Sequence, residues 1–227
     1  MFLKYLKEKH DLKTLLFHSS WSLTLTSGLS YFLGFIRDRI FAQTYGLSRT
    51  MDIYNAAFVI PENLLNIVIG TMLSAAFLPI FTKQYDQNQK VGYQYVHQIM
   101  SWGLLAVSVI AIGIAITLPL FAHRMVPGFA AAALKEYILL TRILLLSPLL
   151  FTLSNIYGKT LLSFHEFLWY GLSPALYNVG IIFGVLVFAP RFGNVGLVSV
   201  VIVGIVLHLA VRLINLKRKR PEFTHAL

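Results

Sequence analysis

The chain has no cysteine in 227 residues, and only nine of them are acidic. The missing thiols exclude disulfides and thiolate metal sites, and they leave no clue to redox compartment. Seven histidines stand apart at 10, 18, 97, 123, 165, 208 and 225, with no pair at ligand spacing, so no metal site is expected. There is no Walker A loop, no Rossmann glycine pattern and no hydrolytic triad. An ATP-driven pump built from this chain alone is therefore excluded, and neither an enzyme nor a cofactor is expected. Charged residues make up 12% of the chain, against about 25% in soluble domains.

What fills the space is apolar. Hydrophobic residues are 57% of the chain, and the mean hydropathy is +0.70. The clearest run is 193–216, GNVGLVSVVIVGIVLHLAVRLINL, which then stops at Lys217-Arg218-Lys219-Arg220. About 20 residues at ~1.5 Å rise cross the ~30 Å hydrocarbon core of a bilayer. The pattern predicts an all-α membrane protein of six transmembrane helices, near 14–44, 51–82, 98–122, 136–162, 166–189 and 193–216. The linkers between them are too short to hold a soluble domain, and no internal repeat is visible.

Three segments follow. Residues 1–13, MFLKYLKEKHDLK, lack a signal-peptide cleavage site and read as a cytoplasmic amphipathic segment. Residues 14–216 form the six-span lobe, and 217–227 form a basic cytoplasmic tail. The formal charge of +10 does not point to nucleic acid, because membrane proteins concentrate Lys and Arg in short cytoplasmic loops. With the N-terminus inside, eleven basic residues fall on the inner side and four on the outer. Both termini are therefore expected in the cytoplasm.

Function is sought among charges inside the spans, since ionisable groups at bilayer depth face a cavity or a partner. Arg37, Asp38 and Arg39 are consecutive, about two turns before the first loop. Neighbours on a helix point about 100° apart, so Arg37 and Asp38 need not pair. Asp52 opens the second span, where a carboxylate suits a helix N-terminus. Glu62 lies ten residues further on, beside Pro61, and needs a cation or a proton; Arg37, Arg39 and Arg142 are its candidate partners. Arg142 stands alone among Ile and Leu and must find an anion or water. Prolines 61, 148 and 174 fit helices bent around a cavity. His208, on an apolar helix, is expected to pack or to bond a neighbour.

These residues carry a resemblance. Ser30-Tyr31-Phe32-Leu33-Gly34-Phe35-Ile36-Arg37-Asp38, Tyr45-Gly46, Asp52, Pro61 and Ser74-Ala75-Ala76-Phe77-Leu78-Pro79 resemble the opening of the MurJ (MviN) family of lipid II flippases, within the MOP exporter superfamily. Pro127-Gly128-Phe129, and Pro174 with Asn178, match further along. The resemblance implies one six-helix lobe of a two-lobed exporter. It also implies alternating access to a lipid-linked oligosaccharide pyrophosphate in the bacterial inner membrane, amid membrane lipids. Arg37, Asp38 and Asp52 match family cavity positions, and Glu62, Arg39 and Arg142 complete the expected substrate-binding set.

Departures stand beside the matches. Tyr31 replaces the motif's first arginine, Leu65-Asn66 replace a basic pair, and Gly70-Thr71 replace a glutamate-glycine. A second lobe, from another chain or a second copy, would be needed. The alternatives are a MOP-type exporter of another lipid-linked glycan or of a drug, and a membrane scaffold or fragment without a transport cycle.

Overall fold

A computed structural model describes residues 2–72 and 76–225, and the side chains of 21–67 and 76–223. The described residues are helical and contain no strand. In chain order the helices are α1 (Phe2–Tyr45), α2 (Arg49–Met72), α3 (Phe77–Gln87), α4 (Gln89–Met125), α5 (Ala131–Leu144), α6 (Leu146–Ser163), α7 (Phe167–Val187), α8 (Ala189–Lys219) and the short α9 (Glu222–His225).

Four stretches are long and apolar enough to cross a membrane: α4, α5 with α6, α7 and α8. These four match the last four of the six expected spans; among the described residues, α1 and α2 do not combine the same length and hydropathy. Their Ser, Thr, Asn and charged residues lower their hydropathy. The expected span 51–82 falls on two helices, α2 and α3. Residues 73–75, with Ser74 and Ala75 of the family motif, lie outside the described residues. Helix α1 runs unbroken from Phe2 through residue 13 to Tyr45; the amphipathic face expected for 1–13 lies outside the described side chains. Between helices, Asn88 caps α4 by accepting from Lys90 N at 2.9 Å.

Prolines shape the bundle, and neighbouring side chains repair what they break. A helical proline leaves the carbonyl four residues earlier without its donor. Pro148 does so to Leu144, and the Ser147 hydroxyl donates to that carbonyl at 2.7 Å; α5 ends there and α6 begins. Pro174 does so to Tyr170, and Ser173 Oγ donates to it at 2.8 Å. Pro119, inside α4, frees Ala115, whose carbonyl accepts from Arg142 Nε at 2.9 Å.

Without water to expel, helices in lipid hold together by close packing and hydrogen bonds, and small residues let their backbones approach. α7 lies along α8 and α1 lies along α7. Where α7 meets α8, a Cβ added at Gly180 would sit 2.9 Å from Gly204 Cα, so only glycine fits both sides of that crossing. Gly193 (φ 58°, ψ −142°) kinks the start of α8, a conformation that favours glycine.

The apolar interior divides into three clusters. The first joins α1, α2, α4, α5, α7 and α8 around Tyr54, Leu118, Tyr137, Ile181 and Ile205. A small one holds Leu64, Val107, Ala111 and Leu145 where α2, α4 and α5 meet. The third, at the end carrying the C-terminus, is rich in aromatics from α3, α4, α6 and α9. There Phe223 is buried edge-on against Tyr93, with ring centroids 5.3 Å apart, and Lys219 pairs with Glu166 at 3.2 Å. Helix α4 leaves Trp102, Val109, Ile112, Ile116 and Leu120 bare on its outer face, a surface suited to acyl chains.

Candidate functional site

Helices α1 and α2 are joined by a turn of three residues, yet α1 packs on α7 rather than along α2. The gap between them is a cavity of about 650 Å³. Its walls are Arg37, Asp38 and Phe41 of α1, and Tyr54, Asn55, Phe58 and Glu62 of α2. Ser147 and Phe151 of α6, Tyr177 and Ile181 of α7, and Val201 and Ile205 of α8 complete it. Gly46 and Met51, beside the α1–α2 turn, also line it. At 1.5 Å per residue, Arg37 lies about 12 Å along α1 from Tyr45 and Glu62 about 20 Å along α2 from Arg49. The cavity thus deepens from that turn to the middle of α2.

Arg37 is fixed on two sides. Its Nε and Nη2 donate to one oxygen of Asp38, at 2.9 and 2.8 Å. Its Nη1 donates to Asn178 Oδ1 at 3.0 Å. Asn178 is itself anchored, because its Nδ2 donates to the Ser30 carbonyl at 3.1 Å. Arg37 and Asp38 do pair, although their Cα–Cβ bonds diverge; the long arginine stem folds back over the helix to reach its neighbour. A guanidinium has five N–H donors. Three are engaged, which leaves one on each Nη for a ligand.

Of the six residues expected to bind substrate, the fold brings Arg37, Asp38 and Glu62 to one cavity. Glu62 is exposed to it and has no ion pair or hydrogen bond among the described residues. The other three stand elsewhere. Arg39 is exposed on α1 beyond the lining and forms no ion pair among the described residues. Asp52 is exposed in the first turn of α2. The cap there is Ser48, whose hydroxyl accepts from Met51 N at 3.3 Å and whose carbonyl accepts from Asp52 N at 3.1 Å. Arg142 finds neither an anion nor Glu62: it serves the carbonyl that Pro119 leaves open.

Asn55, Ser147, Tyr177 and Asn178 belong to the site and were not singled out as binding residues. The signal for Asn178 was in the sequence, four residues after Pro174, but its 141-residue separation from Arg37 hid the contact. Arg212 is a second surprise. It is buried between α6, α7 and α8 without a carboxylate among the described residues. Nε donates to Ser173 Oγ at 2.7 Å, and Nη1 donates to the Ser154 carbonyl at 2.8 Å and to Asn155 Oδ1 at 3.3 Å. Its carbon lies 4.8 Å from the Tyr170 ring centroid. One turn earlier, His208 Nδ1 shares a hydrogen bond with Ser154 Oγ at 2.7 Å, the neighbour contact expected of it.

Near the turn, Arg49 donates to the Gly128 carbonyl at 2.8 Å and stacks over Phe129 at 4.3 Å. This ties the start of α2 to the α4–α5 loop and gives Pro127-Gly128-Phe129 a local role.

The family model described as lipid II flippase MurJ matches residues 41–224. The first-helix motif with Arg37 and Asp38 precedes that stretch. A probable lipid II flippase MurJ of Borreliella burgdorferi is 26% identical over 79% of this chain and 35% of its own length. One from Thermotoga maritima is 30% identical over 78% of this chain and 37% of its own. The lipid II flippase MurJ of Thermosipho africanus is 26% identical over 73% and 34%. The chain thus spans about a third of the length of the curated relatives it matches. It is a multi-pass membrane protein, and it belongs to the lipid II flippase MurJ family.

Proposed function

We propose that this chain forms one lobe of a flippase that carries a lipid-linked oligosaccharide pyrophosphate, lipid II in the family's naming, across the bacterial inner membrane. It has six crossings, α1, α2 with α3, α4, α5 with α6, α7 and α8, and both termini are cytoplasmic. No bond is made or broken; the ligand moves as the cavity is exposed to one side and then the other. The observation that carries the reading is Arg37, held at a cavity between α1 and α2 with two donors that have no partner among the described residues. Guanidinium suits phosphate oxygens because its planar fork gives several charge-assisted bonds. Asp38 and Asn178 set its direction.

A second lobe, from another chain or a second copy, would close the cavity where α1 and α2 part.

The test is reconstitution in liposomes, together with any partner encoded nearby, and measurement of lipid II exposure on the far leaflet. Arg37→Ala should slow translocation about 10–100-fold, the worth of one charged hydrogen bond at ~1.5–3 kcal/mol. Unchanged rates would overturn Arg37's role. A wild-type protein that moves no lipid-linked saccharide would overturn the function.

One observation favours a second reading, export of another lipid-linked glycan or of a cationic drug. The cavity holds one guanidinium against two carboxylates, and Tyr31, Leu65 and Asn66 stand where the motif this chain resembles has basic residues. Binding of lipid II measured against other polyprenyl-linked sugars separates the two.

A further inference from the structure

One end of the cavity is left without a ligand group once Arg37 is assigned to phosphate. Glu62 is exposed to the cavity and has no hydrogen bond or ion pair among the described residues. The lining around it is aromatic. Tyr54 and Phe58 stand on its own face of α2, with Phe151 of α6 and Tyr177 of α7 in the wall. Asn55, two turns before Glu62 on that face, is also exposed and unpartnered among the described residues. An apolar, aromatic wall with a few polar groups aimed inward is the usual build of a small-ligand site. A carboxylate accepts hydrogen bonds and donates none, so a diphosphate cannot satisfy Glu62, and the two repel. Sugar hydroxyls can satisfy it, and the C–H faces of a sugar ring suit the aromatic wall. Measured along their helices, Glu62 lies about 8 Å further from the α1–α2 turn than Arg37. That offset leaves room for an ester link and a sugar ring beyond the phosphates.

The same carboxylate tells two forms of a carrier lipid apart. With a sugar attached, the diphosphate is esterified at both ends, and the first ring offers hydroxyl donors to Glu62. Without one, the diphosphate ends in a free phosphate, which carries about one more negative charge at pH 7. It then meets Glu62 as one acceptor facing another. A site built to bond a hydroxyl rejects the analogue that lacks it, because its own polar group is left unpaired. We propose that Glu62 makes this cavity selective for a lipid diphosphate that carries its sugar over the same lipid diphosphate without one. Arg37 holds what the two share, and Glu62 reads what they do not. This rests on the lipid-diphosphate reading above and adds to it the residue that distinguishes a loaded carrier from an empty one.

The experiment uses the whole chain in nanodiscs of neutral lipid, with any partner encoded nearby. Two probes share one lipid chain: farnesyl diphosphate and farnesyl diphospho-N-acetylglucosamine. Calorimetric titration at pH 7 gives the ratio of their affinities. The wild type is expected to bind the sugar-bearing probe about 10–100-fold more tightly, the worth of one hydrogen bond to a charged group. Glu62→Gln should bind bare farnesyl diphosphate more tightly than wild type, because a negative charge has left the pocket, and its ratio should shrink about tenfold. Glu62→Asp keeps a carboxylate at the position and should still prefer the sugar-bearing probe, which separates loss of the charge from damage to the fold. Arg37→Ala should weaken both probes and leave the sugar-bearing one preferred. Equal wild-type affinities for the two probes would overturn the selectivity and leave the diphosphate reading standing. So would a ratio that Glu62→Gln leaves unchanged. Absence of binding of either probe to the wild type would instead overturn the diphosphate reading, and the selectivity with it.

Discussion

A single hydroxyl shows how much of this molecule depends on local repair. Ser173 donates to the Tyr170 carbonyl that Pro174 leaves open, and it accepts from the buried Arg212. One side chain thus satisfies a helix break and part of an isolated buried charge. Ser173→Ala should remove both bonds without changing the chain's shape. The cost should be about 1–3 kcal/mol, the penalty for leaving a buried polar group unmet. It should read as a lower midpoint in thermal unfolding of the detergent-solubilised protein; a midpoint equal to wild type would mean water fills the gap. Arg142 shows the same repair at longer range, across from α5 to Ala115 of α4. An arginine in a membrane helix is therefore not by itself a binding residue. Arg37 differs because its neighbours engage three donors and leave two facing a cavity.

At the scale of elements, the sequence spoke clearly where a pattern is local. Runs of apolar residues marked α4, α7 and α8, and the expected span 193–216 lies inside α8 (Ala189–Lys219). Pro148 marked the break between α5 and α6. Pro119 drew no notice, since it sits in a long apolar run of α4 with no charged residue within three positions on either side. The site was half legible. Arg37, Asp38 and Glu62 stood out because lipid forbids idle charge, but Asp52 and Arg39 carried the same signal and lie outside the cavity. Charge in a membrane helix marks a group that needs a partner, a ligand or water; which of these it meets depends on contacts between residues far apart in sequence.

Two elements make predictions of their own. Gly204→Leu would drive a side chain into the α7–α8 crossing, where the Cβ alone would lie 2.9 Å from the Tyr177 carbonyl oxygen. Overpacking of this kind costs about 1–3 kcal/mol, and it should lower the yield of monodisperse protein in size-exclusion chromatography more than Val203→Leu on the exposed face of the same helix. Phe223 holds α9 against Tyr93, His97 and Tyr157. Phe223→Ala should release that end, so that trypsin cuts within the Lys217-Arg218-Lys219-Arg220 run faster than in wild type. Equal cutting rates would show that the ion pair of Lys219 with Glu166 suffices.

Over the described residues, the arrangement is a helical bundle with an apolar outer face on α4 and a recess lined by Arg37, Asp38 and Glu62. Helices α7 and α8 form a tight pair with α1 along one side, α4 presents apolar residues outward, and the recess opens where α1 and α2 separate. The absence of native cysteine makes this arrangement directly testable, because any thiol introduced is the only one present. Single cysteines at Glu62 and at Ile116, in proteoliposomes, can be treated with a charged, membrane-impermeant thiol reagent. The recess predicts rapid modification at position 62, about 20 Å along α2, and none at position 116 on the outer face of α4. Modification at 116 with silence at 62 would contradict a water-filled cavity at bilayer depth, and the transport account with it.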